Sequence, residues 1–272
     1  MRQSTPHAPV TSKENSAVKY LRSLSDPKQR KKEQAFLIEG IKMVEEALRS
    51  GTGVKMAVAA PSLVRHHGKS ILRLAETLSV DILWISEKIM DTVAETKTPQ
   101  PVMAVIQMKE HSENELLAHG SKLIVICHRL QDPGNLGTII RTAEAVGAAG
   151  VAITPNTVDP YNTKTVRASM GSILRVPVVR ITDISAFITK CRQEGFQTAA
   201  MVLGGDKTHF DLDLRKPTAV LAGQEGAGLP EEILDKVDHR VRIPMAETID
   251  SLNVATASAV ILYEALRQRI KS

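Results

Sequence analysis

From Lys122 onward the chain repeats one pattern: a short apolar stretch, a turn, then apolar positions three and four apart. Leu123-Ile124-Val125-Ile126-Cys127 is unbroken apolar sequence, as a strand covered on both faces should be. A helix is predicted over Asn135 to Val146, with Asn135 placed to cap it. There follow a strand Val151 to Thr154, a helix near Thr163 to Met170, a strand Val176 to Arg180, a helix Ile184 to Gly195, and strands Thr198 to Leu203 and Ala219 to Ala222. A short helix near Pro230 to Lys236, a strand Arg240 to Ile243 and a long helix from about Leu252, which Ser251 can cap, complete the run. Strands alternating with helices predict an α/β fold with a mainly parallel sheet and helices on both faces. In such sheets, ligands sit beyond the carboxyl ends of the strands.

Upstream the same reading gives a small, separate α/β domain. Residues 1–13 are rich in Pro, Ser, Thr and Lys and read as disordered. A short helix over Glu14 to Leu24 and a brief strand Phe36-Leu37-Ile38 follow. Ile41, Val44, Ala47 and Leu48 lie at helical spacing, with Gly51 just past the helix end. Strands near 54–59, 82–85 and 102–108 alternate with helices near 69–78 and 87–96. Residues 109–121 are polar and read as a linker with room for one helical turn, the alternative being a surface helix inside a single domain. The expected organisation is therefore 1–108, a linker 109–121, and 122–272.

Hydrophobic residues make up 43% of the 272, enough to fill both cores. Aromatic residues are only 3%, which argues against base stacking on exposed rings as the mode of nucleic-acid contact. The net charge of +5 favours a polyanionic partner. Part of the excess lies in Lys28, Arg30, Lys31 and Lys32, a run that suits either phosphate contacts or a solvated loop. Cys127 and Cys191 match no metal-ligand spacing, and Cys127 reads as a small buried hydrophobe. This composition suits a reducing cytoplasm. Neither a signal peptide nor a membrane anchor is predicted.

Three unusual segments fall at predicted strand ends. In Gln131-Asp132-Pro133-Gly134-Asn135-Leu136-Gly137, Pro and Gly turn the chain into a helix that carries Arg141 among apolar neighbours. Such a cation needs a partner or a purpose, unless it snorkels to the surface. Gly223-Gln224-Glu225-Gly226-Ala227-Gly228 follows an apolar strand, so the backbone can approach a ligand closely or take φ > 0. Its spacing is not that of a dinucleotide fingerprint, and no G-x-G-x-x-G follows the first strand of either domain, which disfavours a dehydrogenase. The third segment joins Ile243-Pro244-Met245 to Ser251-Leu252-Asn253 at a helix start, where free N–H groups and polar side chains gather.

Taken in this order, the segments resemble the three motifs of the SpoU (TrmH) family of RNA 2′-O-ribose methyltransferases, within the SPOUT class of RNA methyltransferases. The resemblance covers about 122–272, and Arg167-Ala168-Ser169-Met170-Gly171-Ser172 looks like a family stretch between the first two motifs. Phe36-Leu37-Ile38-Glu39-Gly40, Val44 and Glu46-Ala47-Leu48 resemble the family's N-terminal RNA substrate-binding domain. The resemblance implies a deep C-terminal trefoil knot, a homodimer formed through the C-terminal helix, and no metal. It implies S-adenosylmethionine as cofactor, held by Gly223, Ile243 and Leu252 with Gly228 and Met245 in the same loops. Arg141, Asn135, Glu225, Ser251 and Asn253 match its active-site positions. The substrate it implies is structured RNA, foremost 23S ribosomal RNA; transfer RNA, or an inactive RNA-binding member of the fold, are the alternatives. The chain departs from the family at His128 (usually Asp), Glu247 (usually Gly) and Ala255 (usually Ser).

Overall fold

The computed structural model describes residues 8–65, 68–246, 248 and 250–270. They divide into two compact units: one within 8–109 together with 161–167, the other within 110–160 and 168–270.

The first unit begins with α1 (Ser16–Ser23), capped by Asn15, and α2 (Pro27–Glu33), capped by Asp26. β1 (Ala35–Glu39), α3 (Ile41–Arg49), β2 (Val54–Ala59), α4 (Lys69–Thr77), β3 (Ile82–Trp84), α5 (Glu87–Val93) and β4 (Val102–Gln107) follow. The sheet order is β1-β4-β2-β3, with β4 antiparallel to both neighbours and β2 parallel to β3. Val18, Leu21, Val58, Ile85, Ile89 and Val105 share one core.

α2 falls in a stretch where no element is predicted. Its sequence, PKQRKKE, has no apolar periodicity, yet Pro27 at the first position is pre-set for the helix and Asp26 accepts from Lys28 N. Arg30 is 3% exposed, and its Nη1 donates to the carbonyls of Leu24 and Ser25 at 2.8 and 2.7 Å. That arginine holds the α1–α2 turn together, so it does not belong to the solvated run. The reading of 1–13 as disordered is also corrected in part. Val10 N donates to Trp84 O and Val10 O accepts from Ser86 N, both at 2.9 Å, which ties this residue beside β3; residues 1–7 lie outside the described residues.

The second unit opens with α6 (Glu113–Ala118), inside the stretch read as a linker. Ser112 and Glu115 form a capping box, and Leu116 and Leu117 are buried in the unit's core. β5 (Leu123–Cys127), α7 (Pro133–Ala145), β6 (Gly150–Ile153), α8 (Thr163–Ala168, whose first residues count with the first unit), β7 (Val178–Arg180), α9 (Ile184–Gln193) and β8 (Gln197–Met201) follow. Then come β9 (Lys207–Thr208), β10 (Thr218–Ala222), α10 (Glu231–Leu234), β11 (His239–Arg242) and α11 (Val254–Ile270).

The seven strands run β7-β6-β5-β10-β8-β11-β9, every neighbour parallel. Ile124, Ile126, Ala200, Ala219 and Leu221 share one core with Leu116 of α6, Phe187 of α9 and Ile233 of α10. The alternate residues Val125, Cys127, Val151 and Ile153 are fully buried too, so the sheet is covered on both faces, with α7 packed on β6 and on α11. At the far end of α11, Arg269 donates to the carbonyls of Leu214, Lys122 and Lys216 at 2.9, 3.2 and 3.1 Å, tying the helix to the amino ends of β5 and β10.

Both cysteines are free and buried. Burial, then the charge of Glu225, pushes the Cys127 thiol well up, and burial pushes that of Cys191 up to about 12. Both behave as small hydrophobes.

Candidate active site

The carboxyl ends of β8, β10 and β11 surround a cavity of about 530 Å³. Residues 223–229 form one wall, Ile243 and Met245 a second, and Ser251, Leu252, Asn253, Val254 and Ala257 at the start of α11 a third. Met201, Val202 and Leu203 close the remaining side. All five residues expected to hold a cofactor line this space. The volume lies within the range of small-molecule sites, and among the described residues that line it Glu225 is the only charged group.

The glycines shape the first wall. Gln224 and Gly228 exchange two backbone hydrogen bonds, at 3.0 and 2.8 Å, and Gly226 and Gly228 take φ of +77° and +68°. A Cβ on Gly223 would lie 2.4 Å from the Gly228 carbonyl carbon, so any side chain there would force the loop apart.

Glu225 works inside this loop. Its carboxylate accepts from Gln131 N at 3.1 Å, Asp132 N at 3.4 Å and Asn135 Nδ2 at 3.0 Å. Burial opposes its ionisation, but these bonds outweigh burial and hold its pKa below the usual glutamate value. Its role is to clamp the turn before α7 against the cavity loop.

Two caps differ from those expected. Asp132, not Asn135, caps α7: its side chain accepts from Asn135 N at 2.8 Å, and Pro133, which has no N–H, fills the first position. The Asn135 amide is thereby free for other bonds. Likewise α11 begins at Val254, and Asn253 caps it in place of Ser251, with Oδ1 accepting from Ala255 N at 2.9 Å and Thr256 N at 3.3 Å. Asn253 Nδ2 donates to Asn135 Oδ1 at 2.9 Å. A continuous chain therefore runs from Asn253 through Asn135 to Glu225.

The remaining candidates are placed differently. Ser251 is exposed on the cavity wall. Arg141 is exposed on α7, makes no hydrogen bond or ion pair among the described residues, and does not line the cavity. Ala255 is 4% exposed on the inward face of α11, so its departure lies in packing. His128 is 6% exposed, and neither ring nitrogen has a partner among the described residues. Burial, then the Arg129 charge, lowers its pKa. Glu247 lies outside the described residues. Sequence reasoning missed the wall formed by Met201, Val202 and Leu203. The apolar run was legible, but its facing the cavity depends on strand order.

Residues 122–263 match the SpoU rRNA Methylase family, and residues 15–104 match the MRM3-like substrate binding domain. The chain belongs to the SpoU rRNA methylase family. It is 35% identical over 256 residues to the 23S rRNA (guanosine(2553)-2′-O)-methyltransferase RlmP of Bacillus subtilis, covering 93% of this chain and 97% of that one. It is 32% identical over 243 residues to the 23S rRNA (uridine(2479)-2′-O)-methyltransferase of Streptomyces viridochromogenes, covering 86% and 83%. The crystal structure of an AdoMet-bound rRNA methyltransferase from Sinorhizobium meliloti superposes with a TM-score of 0.84 at 35% identity, covering 96% of this chain and 97% of that one.

Proposed function

We propose that this protein transfers the methyl group of S-adenosylmethionine to a ribose 2′-hydroxyl of ribosomal RNA, specifically 23S. One observation carries the reading: the hydrogen-bonded chain Asn253–Asn135–Glu225 joins the wall of an apolar, glycine-lined cavity to the helix that bears Arg141. The self-bonded loop that no side chain at 223 could share fits a cofactor held by backbone groups.

The cofactor supplies a methyl group already activated by the sulfonium charge. The protein has to align the hydroxyl and stabilise the charge its oxygen develops as the methyl group leaves a neutral thioether and the hydroxyl proton passes to solvent water, and alignment alone contributes several kcal/mol. A guanidinium is a poor proton acceptor and a fixed fork of N–H donors. Arg141 therefore acts as a cation, holding the adjacent phosphate and stabilising the developing alkoxide. Asn135, Asn253 and Ser251 orient the ribose, while Glu225 keeps Asn135 in register.

The same reading includes a homodimer through α11, on which Tyr263 and Ile270 are 52% and 73% exposed, and a trefoil knot formed by the loops around the cavity. It also includes a cytoplasmic location; two buried free thiols suit a reducing compartment, and no described helix is long and apolar enough to cross a membrane. In the first unit Lys28, Lys31 and Lys32 are exposed on α2 and would contact RNA phosphates. Incubation of the protein with methyl-labelled S-adenosylmethionine and ribosomal RNA from cells lacking the gene tests the proposal. Label should enter RNA with the wild-type protein and not with Arg141→Ala; equal incorporation by both would remove Arg141 from the mechanism.

A further inference from the structure

We propose that Arg129 is a second RNA-binding cation of this site, holding a backbone phosphate beside the target ribose. The inference rests on the methyltransferase reading above. Arg129 follows β5 and takes φ +54°, the left-handed region that a side-chain-bearing residue occupies only when its surroundings impose it. They do so from two sides. Arg129 N donates to Thr154 Oγ1 at 3.1 Å, and Arg129 O accepts from Gln131 Nε2 at 2.9 Å. The same amide donates to the carbonyl of Asn156 at 2.6 Å, and Asn156 itself sits at φ +63°. Gln131 N is held by Glu225. The turn is thus pinned to the end of β6 and to the cavity loop together.

Glycine would take this conformation without strain, yet the position holds an exposed arginine. Its guanidinium makes no hydrogen bond or ion pair among the described residues. Three acidic groups of the neighbouring loops are engaged elsewhere: Asp132 caps α7, Glu225 clamps the turn, and Asp159 pairs with Arg180 at 2.8 Å. A free guanidinium on a rigid, strained turn next to the Asn135 helix suits a bidentate contact to phosphate. With Arg141 it would bracket the segment that carries Asn135.

Arg129→Gly separates strain from function, because it relaxes the turn while removing the cation. The assay measures label transfer from S-adenosylmethionine to ribosomal RNA from cells lacking the gene, at several salt concentrations, beside thermal unfolding. Arg129→Gly should unfold at the wild-type temperature or above it. Its KM for RNA should rise roughly five- to tenfold with kcat little changed, the pattern of lost uniform binding. The dependence of log KM on log salt should weaken by roughly 0.7 to 0.9, the loss of one phosphate contact. Arg129→Lys should recover part of the affinity. If the wild-type protein is active and Arg129→Gly keeps its KM and salt slope, the assignment of Arg129 is overturned while the enzyme reading stands. A wild-type protein that transfers no label overturns both.

Discussion

Removing the Glu225 carboxylate should loosen the turn before α7 and slow methyl transfer together. Two of its three bonds, to Asn135 Nδ2 and Gln131 N, are at normal distance, 3.0 and 3.1 Å; the third, at 3.4 Å, is weak. A charge-assisted bond contributes about 1.5–3 kcal/mol net, and partial exposure of this carboxylate cuts that to about 1 kcal/mol each by solvent screening. Glu225→Ala should therefore cost about 2 kcal/mol, which lowers the melting temperature of a unit this size by roughly 4–8 °C. Misplacing Asn135 should lower kcat/KM at least roughly tenfold, since a shift of ~1 Å costs up to ~10²-fold. The pH dependence gives an internal control. The folded pKa of Glu225 is depressed, so its contribution is full above the ordinary value of 4.5 and is lost as pH falls below it toward the folded value. Thermal unfolding of wild type and Glu225→Gln should differ at pH 7 and converge as pH falls below 4.5. A difference that stays constant through that range would refute the clamp.

Other outcomes follow from the same geometry. Arg141→Ala should abolish methyl transfer while calorimetry shows S-adenosylmethionine binding intact; loss of cofactor binding would place Arg141 in the cavity wall instead. Gly223→Ala should do the reverse, weakening cofactor binding at least tenfold, because its Cβ meets the Gly228 backbone at 2.4 Å; wild-type affinity would show that the loop opens freely. Arg269→Ala removes a donor from several carbonyls and should cost about 2 kcal/mol in chemical denaturation without changing the RNA KM. Changing Lys28, Lys31 and Lys32 to Ala should weaken RNA binding and its salt dependence with stability unchanged, whereas Arg30→Ala should unfold the α1–α2 turn; equal effects of the two would contradict the structural role of Arg30.

The sheet of the second unit was legible because strands buried on both faces, such as β5, leave continuous apolar runs, and a parallel α/β order then places the loops after β10 and β11 at one end. α2 was not legible. Its seven residues carry no apolar stripe, and its stability comes from the Asp26 cap and from Arg30 reaching back to two carbonyls. The two helix starts show a finer limit. Asp132 and Asn135, like Ser251 and Asn253, are all competent caps, and spacing alone does not decide between them. The choice matters, because Asp132 frees Asn135 to bond Glu225, and Asn253 caps α11 while also donating to Asn135. The Met201–Leu203 wall and the grouping of 161–167 with the first unit depend on contacts between residues far apart in sequence. Among the site residues, the glycine loop was the most legible, since its backbone geometry is written in residue type.

On the proposed function, the cavity and the Asn253–Asn135–Glu225 chain serve transfer of a methyl group to ribose. The most direct measurement digests ribosomal RNA labelled by the purified protein and locates the label. Label is expected in alkali-resistant dinucleotides of 23S RNA, the signature of a 2′-O-methyl group. Label on a base, in transfer RNA alone, or nowhere would contradict that function.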